Sequence, residues 1–260
     1  SQRLVKEWGD RALSSIELDD YIATAAEKTP TKDKNIDELR SAIQLIKKEE
    51  QADGNFNNGE ILEKKPIGFP QDGGKNKPYS NLFYWAHAWT PYSKSTIGLH
   101  PHQGFEICSF VLKGSINHFD TKQDKWISLK KGDVQIIRAG NGISHAEELN
   151  EKSEIFQIWF DPNIQLSIKQ EATYNDYKSD DFKVVERDNI KVKKIAGIDS
   201  PMKIFSEGIE INSYEISNKG QLNLKLKNDS VYSYFILEGE AKIEKNIANE
   251  GDFIIISNCN

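Results

Sequence analysis

The chain has 260 residues, a formal net charge of −6 and an isoelectric point near 5.5. At this length one large domain or two small ones bury enough surface to be stable without a disulfide framework. The acidic balance disfavours direct contacts with nucleic acid, because phosphate binding needs clustered Lys and Arg. Only two cysteines are present, and no apolar segment reaches the roughly 18 residues of a membrane span. We therefore expect a cytoplasmic protein that binds neither nucleic acid nor membrane.

Two amphipathic helices are predicted in the first 54 residues. Ser14 and Glu17 have the spacing of a capping box, and Asn35 and Glu38 repeat that spacing before a second helix that ends near residue 54. The apolar stripe of the second helix consists of Ile36, Leu39, Ile43 and Ile46. Apolar stripes of this kind need a partner surface, so the helices are expected to pack on a barrel or to mediate self-association.

From Ser80 onward, short runs of β-branched and aromatic residues alternate with Gly, Asp and Asn. This pattern is typical of an antiparallel sandwich or barrel. The predicted strands cover residues 81–89, 105–114, 115–120, 126–132, 133–140 and 153–161. A polar linker is predicted around residues 174–181, and a second series of strands is expected to begin near Lys183.

A weak internal repeat relates residues 110–137 to residues 235–256. Both segments contain an apolar run, a Gly, a strand and a Gly-Asp pair that leads into another apolar run. Such a repeat predicts one β-module used twice. The second copy contains no histidine, so a site built on imidazoles is expected in the first module alone.

Three of the five histidines lie in two short motifs, "HPHQGFE" and "GISHAEE". Residues two apart in an extended strand share one face, which pairs His100 with His102 and His145 with Glu147. The same alternation predicts one common face for His100, His102, Glu106, Cys108, Phe110 and Leu112. Buried polar groups without partners cost about 1–3 kcal/mol each, so something in the interior must satisfy them.

Three His and one Glu suit Fe, Mn, Ni, Cu or Zn and leave open the positions that a catalytic metal needs. The joint pattern therefore predicts a metal site. The alternative is a barrel without metal, in which the histidines only form hydrogen bonds.

"HPHQGFE" and "GDVQIIRAGNGISHAE" resemble the pirin family of the cupin superfamily, strongly over residues 61–162 and more weakly over residues 183–260. The resemblance implies a mainly β bicupin of two antiparallel β-barrel (jelly-roll) modules. With the helical extension, the division is residues 1–54, a metal-binding cupin over 55–172 and a metal-free cupin over 173–260.

The metal ligands that the resemblance implies are His100, His102, His145 and Glu147, and the implied ion is Fe(II), with Mn, Ni, Cu or Zn as alternatives. No other cofactor site is predicted. The implied activity is that of a dioxygenase of the quercetin 2,3-dioxygenase type, acting on a small flavonol-like aromatic and O2. Glu147 and Glu106 are the predicted catalytic residues, because either carboxylate could accept the substrate proton. The alternative is an iron-dependent redox-sensing module that binds a protein partner without turnover.

Four other residues have competing interpretations. His118 is expected either near the site or as a partly exposed strand residue, and His87 is expected to pack rather than to bind metal. Cys108 is expected to be a small buried hydrophobe, with a redox-sensitive neighbour of the metal as the alternative. Gln103 stands where the resembling family more typically has Arg, which removes a charge from the expected pocket mouth.

Overall fold

The computed structural model describes residues 42–187, 189–217, 220–224, 226–227 and 229–257. The first predicted helix lies outside these residues. The second is wrong in its described part, because strands β1 (Ala42–Ile46) and β2 (Ala52–Phe56) occupy that segment. Ile43 and Ile46 lie in β1, where cross-strand pairing outweighs the weak helical preference of their spacing.

Two antiparallel sheets, here called the first module, are formed by strands within residues 52–177. The larger sheet runs, in spatial order, β12 (Thr173–Tyr177), β9 (Val134–Arg138), β6 (Glu106–Lys113), β11 (Glu154–Phe160), β4 (Leu82–Trp89), β3 (Ile61–Ile67) and β2. The smaller sheet runs β5 (Ser95–His102), β10 (Ile143–Leu149), β7 (Ser115–Asp120) and β8 (Trp126–Lys130). Apolar side chains from the inner faces of both sheets pack together, as Ile107 and Ile143 do in one cluster.

Three smaller antiparallel sheets, here called the second module, are formed by residues 42–46 and by strands within residues 184–257. The first of them runs β1, β19 (Phe253–Ser257) and β16 (Val231–Phe235). The other two are β13 (Val184–Arg187), β14 (Ile190–Ala196) and β15 (Ile211–Ile216), and the pair β17 (Glu240–Ile243) and β18 (Asn246–Asn249). Helices in the described residues are short: α1 (Ile164–Ser167) and 3-10 turns at Lys48–Glu50, Asn57–Gly59, Pro70–Asp72 and Ser179–Asp181. None of the helices within the described ranges has the length and apolar character to cross a membrane.

The six predicted strands of the first module are confirmed, each within two residues or so of its observed bounds. The predicted polar linker is wrong in part, because Thr173–Tyr177 forms β12 and pairs with β9. Tyr174 explains the difference, since its buried ring joins the inner apolar cluster and holds this edge strand in place. Ladder pairing also crosses the predicted boundary after residue 54, because β1 belongs to a sheet of the second module. The three-part division stays a prediction.

The central strands β9, β6 and β11 are buried on both faces. Ile107 and Val111 of β6 point into the first module, whereas Cys108 and Phe110 pack in a cluster shared with Phe253 of the second module. A sheet covered on both sides needs nearly continuous apolar runs, and the sequences of these strands are largely apolar.

The predicted common face for His102 and Glu106 is wrong. His102 ends β5 in the smaller sheet, and Glu106 begins β6 in the larger one. The turn between them contains Gly104 at φ +88°, a conformation that strongly favours glycine. The alternation of a single strand therefore does not continue across residues 103–105, and Glu106 and Cys108 face the second module.

Candidate metal centre

Three histidines meet on the inner side of the smaller sheet. His100 and His102 lie on β5 and His145 on β10, and one ring nitrogen of each lies within 4.8 Å of the others. His145 is directly opposite His100 in the ladder, but Glu147 is opposite Ile97, so β5 carries a bulge between these two pairs. A bulge re-aims the side chains beside it. The structure therefore brings together three of the four predicted ligands.

The three side chains suit a divalent transition metal. The Nε2 atoms of His102 and His145 are 3.0 Å apart, and two nitrogens bound about 2.1 Å from one ion at a right angle would be about 3.0 Å apart. Burial holds the pKa of both imidazoles well below the usual value, which favours the neutral form that binds metal. Nδ1 of His100 lies 2.6 Å from the carbonyl oxygen of Gly98, a contact in which it donates, so Nε2 carries the lone pair.

Glu147 lies beside the three-histidine group but outside the 4.8 Å set. Its carboxylate is fully buried and accepts hydrogen bonds from two amides, Gln135 Nε2 to Oε1 at 2.9 Å and Gln157 Nε2 to Oε2. Burial raises the pKa of Glu147, while the nearby His118 and the amide bonds oppose the rise. Its role as a fourth ligand stays a prediction.

A buried His–Asp pair lies next to the three-histidine group on the smaller sheet. His118 on β7 lies opposite Glu147, and Asp120 lies opposite His145. Both are fully buried, and His118 Nε2 donates to Asp120 Oδ2 at 2.7 Å. His118 stacks on Tyr174 at 4.4 Å and lies 5.6 Å from His145, so the prediction of a position near the site is confirmed and the partly exposed alternative is wrong. The sequence interpretation missed Asp120, although His-x-Asp has the same two-residue spacing as the other motifs.

Aromatic rings form an apolar wall beside His102. The His102 ring centroid lies 5.3 Å from those of Phe105 and Trp159, and these two rings stack at 5.0 Å. Tyr84 packs against Trp159 at 4.5 Å. Flat aromatic surfaces beside a few polar groups are typical of sites that bind aromatic ligands.

Glu106 has a different environment from the one predicted. Its buried carboxylate accepts hydrogen bonds from the backbone N–H of Phe205 at 2.8 Å and from the N–H and Oγ of Ser206 at 2.9 and 2.6 Å. Arg138 Nε lies 3.7 Å away. Glu106 therefore ties the first module to the second, and its predicted catalytic role has no support from a contact with the histidines in the described residues.

Three remaining residues also have clear positions. His87 packs against Phe156 and Phe235 beside Glu154, as expected for a packed residue outside the metal group. Cys108 is buried in an apolar cluster, so the small-hydrophobe interpretation is confirmed. Gln103 is exposed, and its amide donates to the carbonyl oxygen of Asn141 at 3.1 Å.

The family model for pirin matches residues 75–160, which contain all three histidines of the group. This segment is therefore similar to the pirin family. A stretch of 100 residues is 38% identical to Pirin-like protein 2 of Arabidopsis thaliana and covers 38% of this chain and 30% of that protein. Separately, 49 residues are 84% identical to protein translocase subunit SecA of Prochlorococcus marinus (strain NATL1A), covering 19% of this chain and 5% of that protein. The chain thus spans less than a third of either relative.

Solved structures share the fold of the pirin domain and of the strands that follow it. Quercetin 2,3-dioxygenase from Acinetobacter baumannii has a TM-score of 0.69 at 18% identity, covering 84% of this chain and 72% of that one. Bacterial pirin YhhW from Escherichia coli, in complex with nickel(II), has a TM-score of 0.55 at 19% identity, covering 84% and 90%. The predicted pirin resemblance and the mainly β, antiparallel architecture are confirmed.

Proposed function

We propose that the pirin domain is a mononuclear metal centre with dioxygenase activity on flavonol-like aromatic substrates. The observation that carries the proposal is the three-histidine group, in which His102 and His145 are buried and have Nε2 atoms 3.0 Å apart. The structural likeness to a quercetin 2,3-dioxygenase supports the choice of substrate class. Fe(II) is the proposed ion, and Mn, Ni, Cu and Zn also suit these ligands.

His100, His102 and His145 would hold the ion, with Glu147 as the fourth ligand. When bound, a divalent ion supplies Lewis acidity, which lowers the pKa of a substrate hydroxyl. Glu147 is the proposed proton acceptor, because burial raises its pKa and so makes its carboxylate a stronger base than an exposed one. Phe105 and Trp159, which stack on each other beside His102, would form an apolar boundary of the substrate site.

The test is elemental analysis of protein purified without oxygen, comparing wild type with His145→Ala. His87→Ala is the matched control, because it removes a histidine that lies outside the group. We expect about one iron per chain in wild type and in the control, and none in His145→Ala. The iron-loaded wild type should then consume O2 when quercetin is added. Absence of any transition metal in wild type would refute the metal centre.

The second candidate is an iron-dependent redox-sensing module that binds a protein partner without turnover. Its support is the closed character of the site, since His102 is 4% exposed and His145 is 1% exposed. Iron binding without oxygen consumption across a set of flavonols would favour this candidate. A change in partner binding upon oxidation of the iron would then be expected.

We also propose that residues 55–172 and 173–260 act as a metal-binding and a metal-free cupin, and that the protein is cytoplasmic. The repeated sequence pattern and the restriction of histidine to residues before 146 support the division. The buried, unpaired thiol of Cys108 is compatible with a reducing compartment.

A further inference from the structure

Three polar residues form a row across the inner face of the larger sheet. Gln135 on β9 pairs with Ser109 on β6, and Ser109 pairs with Gln157 on β11. Gln135 and Ser109 are fully buried, and Gln157 is half-buried. The flanking inward residues on these strands are apolar or aromatic, so this row is a polar island inside an apolar wall.

Hydrogen bonds fix the orientation of both amides in the row. Gln135 Oε1 accepts from the hydroxyl of Tyr174 at 3.2 Å, and Gln157 Oε1 accepts from Trp159 Nε1 at 3.4 Å. With each carbonyl oxygen turned toward its donor, each NH2 group points toward Glu147. Gln135 Nε2 also contacts Ser109 Oγ at 3.2 Å.

The two amides reach across the interior to the opposite wall. Glu147 lies on β10 of the smaller sheet, two residues after His145, and each of its oxygens accepts one amide hydrogen bond. An ionised carboxylate has about four lone-pair sites, so two amide bonds leave capacity for a metal ion. The amides thereby compensate the burial of the carboxylate and restrict its rotamer while leaving a ligand position open.

We propose that Gln135 and Gln157, here called the amide brace, are positioning residues that aim Glu147 at the ion held by the three histidines. The inference rests on the metal centre proposed above. The brace acts on metal binding only through the carboxylate of Glu147. Neither glutamine touches the ion, and each sets the direction and the freedom of its fourth ligand.

The experiment is a double-mutant cycle in Co(II) affinity, followed by the visible absorption of Co(II) added to metal-free protein. Gln157→Leu removes one amide donor at similar size, and Glu147→Gln removes the charge that the brace holds. We expect Gln157→Leu to raise the Co(II) Kd about 10- to 100-fold in the wild-type background. In the Glu147→Gln background the same change should alter the Kd less than about 2-fold, because the group through which it acts is absent.

Gln44→Leu is the matched control, since Gln44 is an exposed strand glutamine outside the pirin domain and should leave the Kd unchanged. Thermal unfolding of the metal-free variants verifies that each is folded, and Gln135→Leu provides an independent second test of the brace. A Kd within 2-fold of wild type for both leucine variants, or equal weakening in both Glu147 backgrounds, overturns the proposal. Wild type that takes up no Co(II) refutes the metal centre itself, whereas wild-type binding without the coupling refutes the brace alone.

Discussion

Acid should destabilise the metal-free protein through the buried imidazoles of His102 and His145. Burial places the folded-state pKa of both groups well below the usual 6.5. Below pH 6.5 the unfolded chain therefore binds protons that the folded chain does not bind. The stabilisation is fully present above pH 6.5 and is lost as the pH falls toward the folded-state pKa.

The size of this loss of stability follows from the number of buried imidazoles. Between pH 7.5 and 5.5, a histidine that stays neutral in the folded state and titrates at 6.5 when unfolded lowers the free energy of unfolding by about 1.4 kcal/mol. Two such groups give a loss of about 2.7 kcal/mol, a large share of the stability of an ordinary domain. Glu147 acts in the opposite sense, because its raised pKa lets the folded form bind a proton first.

The assay is urea unfolding in the presence of a chelator at pH 7.5 and pH 5.5, for wild type and His145→Asn. The variant lacks one of the two titrating groups, so its loss between these pH values should be smaller by about 1.4 kcal/mol. Contributions from Glu147 and from other groups largely cancel in this comparison. Equal losses in the two proteins would show that His145 does not titrate as a buried neutral imidazole and would refute the reasoning.

Three further predictions concern the residues that support the site. Glu106→Gln should lower the free energy of unfolding, measured in urea, by about 2–4 kcal/mol, because a charged acceptor of the Phe205 and Ser206 donors is lost. The control is Glu215→Gln at an exposed position. Equal effects of the two substitutions would contradict the role of Glu106. Gly140→Ala should lower the free energy of unfolding by about 1–3 kcal/mol, since φ is +47° and a Cβ would lie 2.6 Å from the Gln170 carbonyl oxygen. The control is Gly98→Ala, which has open space around it and should change the thermal midpoint of unfolding far less. Ile107→Ala should lower the free energy of unfolding in urea by about 2–5 kcal/mol, because it opens a cavity in the inner cluster. A loss below 1 kcal/mol would show that the cluster collapses around the cavity.

Local patterns in the sequence predicted the strands around the site and the pairing of its histidines. Residues two apart on one strand do share a face, so His145 and Glu147 both reach the interior of the first module. Gly and Asp interrupt the apolar runs where strands end, which made six strand positions predictable.

The remaining features depend on long-range contacts that a local pattern does not contain. Alternation assumes one continuous strand, and the turn at Gly104 moves Glu106 to another sheet and another face. Ile43 and Ile46 have helical spacing, but their partners lie in β19 at the far end of the described chain. Gln135 and Gln157 could have been identified from the sequence, because each is a single polar residue at an inward position of an apolar strand.

The pairing of β1 with β19 has a consequence for how the polypeptide folds as it is made. Ile46 lies opposite Phe253, so about 200 residues separate the partners, and a ribosome adding 5–20 residues per second needs roughly 10–40 s to make that length. Strand β1 has no ladder partner in the described residues other than β19. Its backbone donors and acceptors therefore wait unpaired during that interval, exposed to mispairing with other chains. The sheet that contains β1 closes only after Ser257 has been synthesised, so the second module completes its fold with a strand that is made before every strand of the first module.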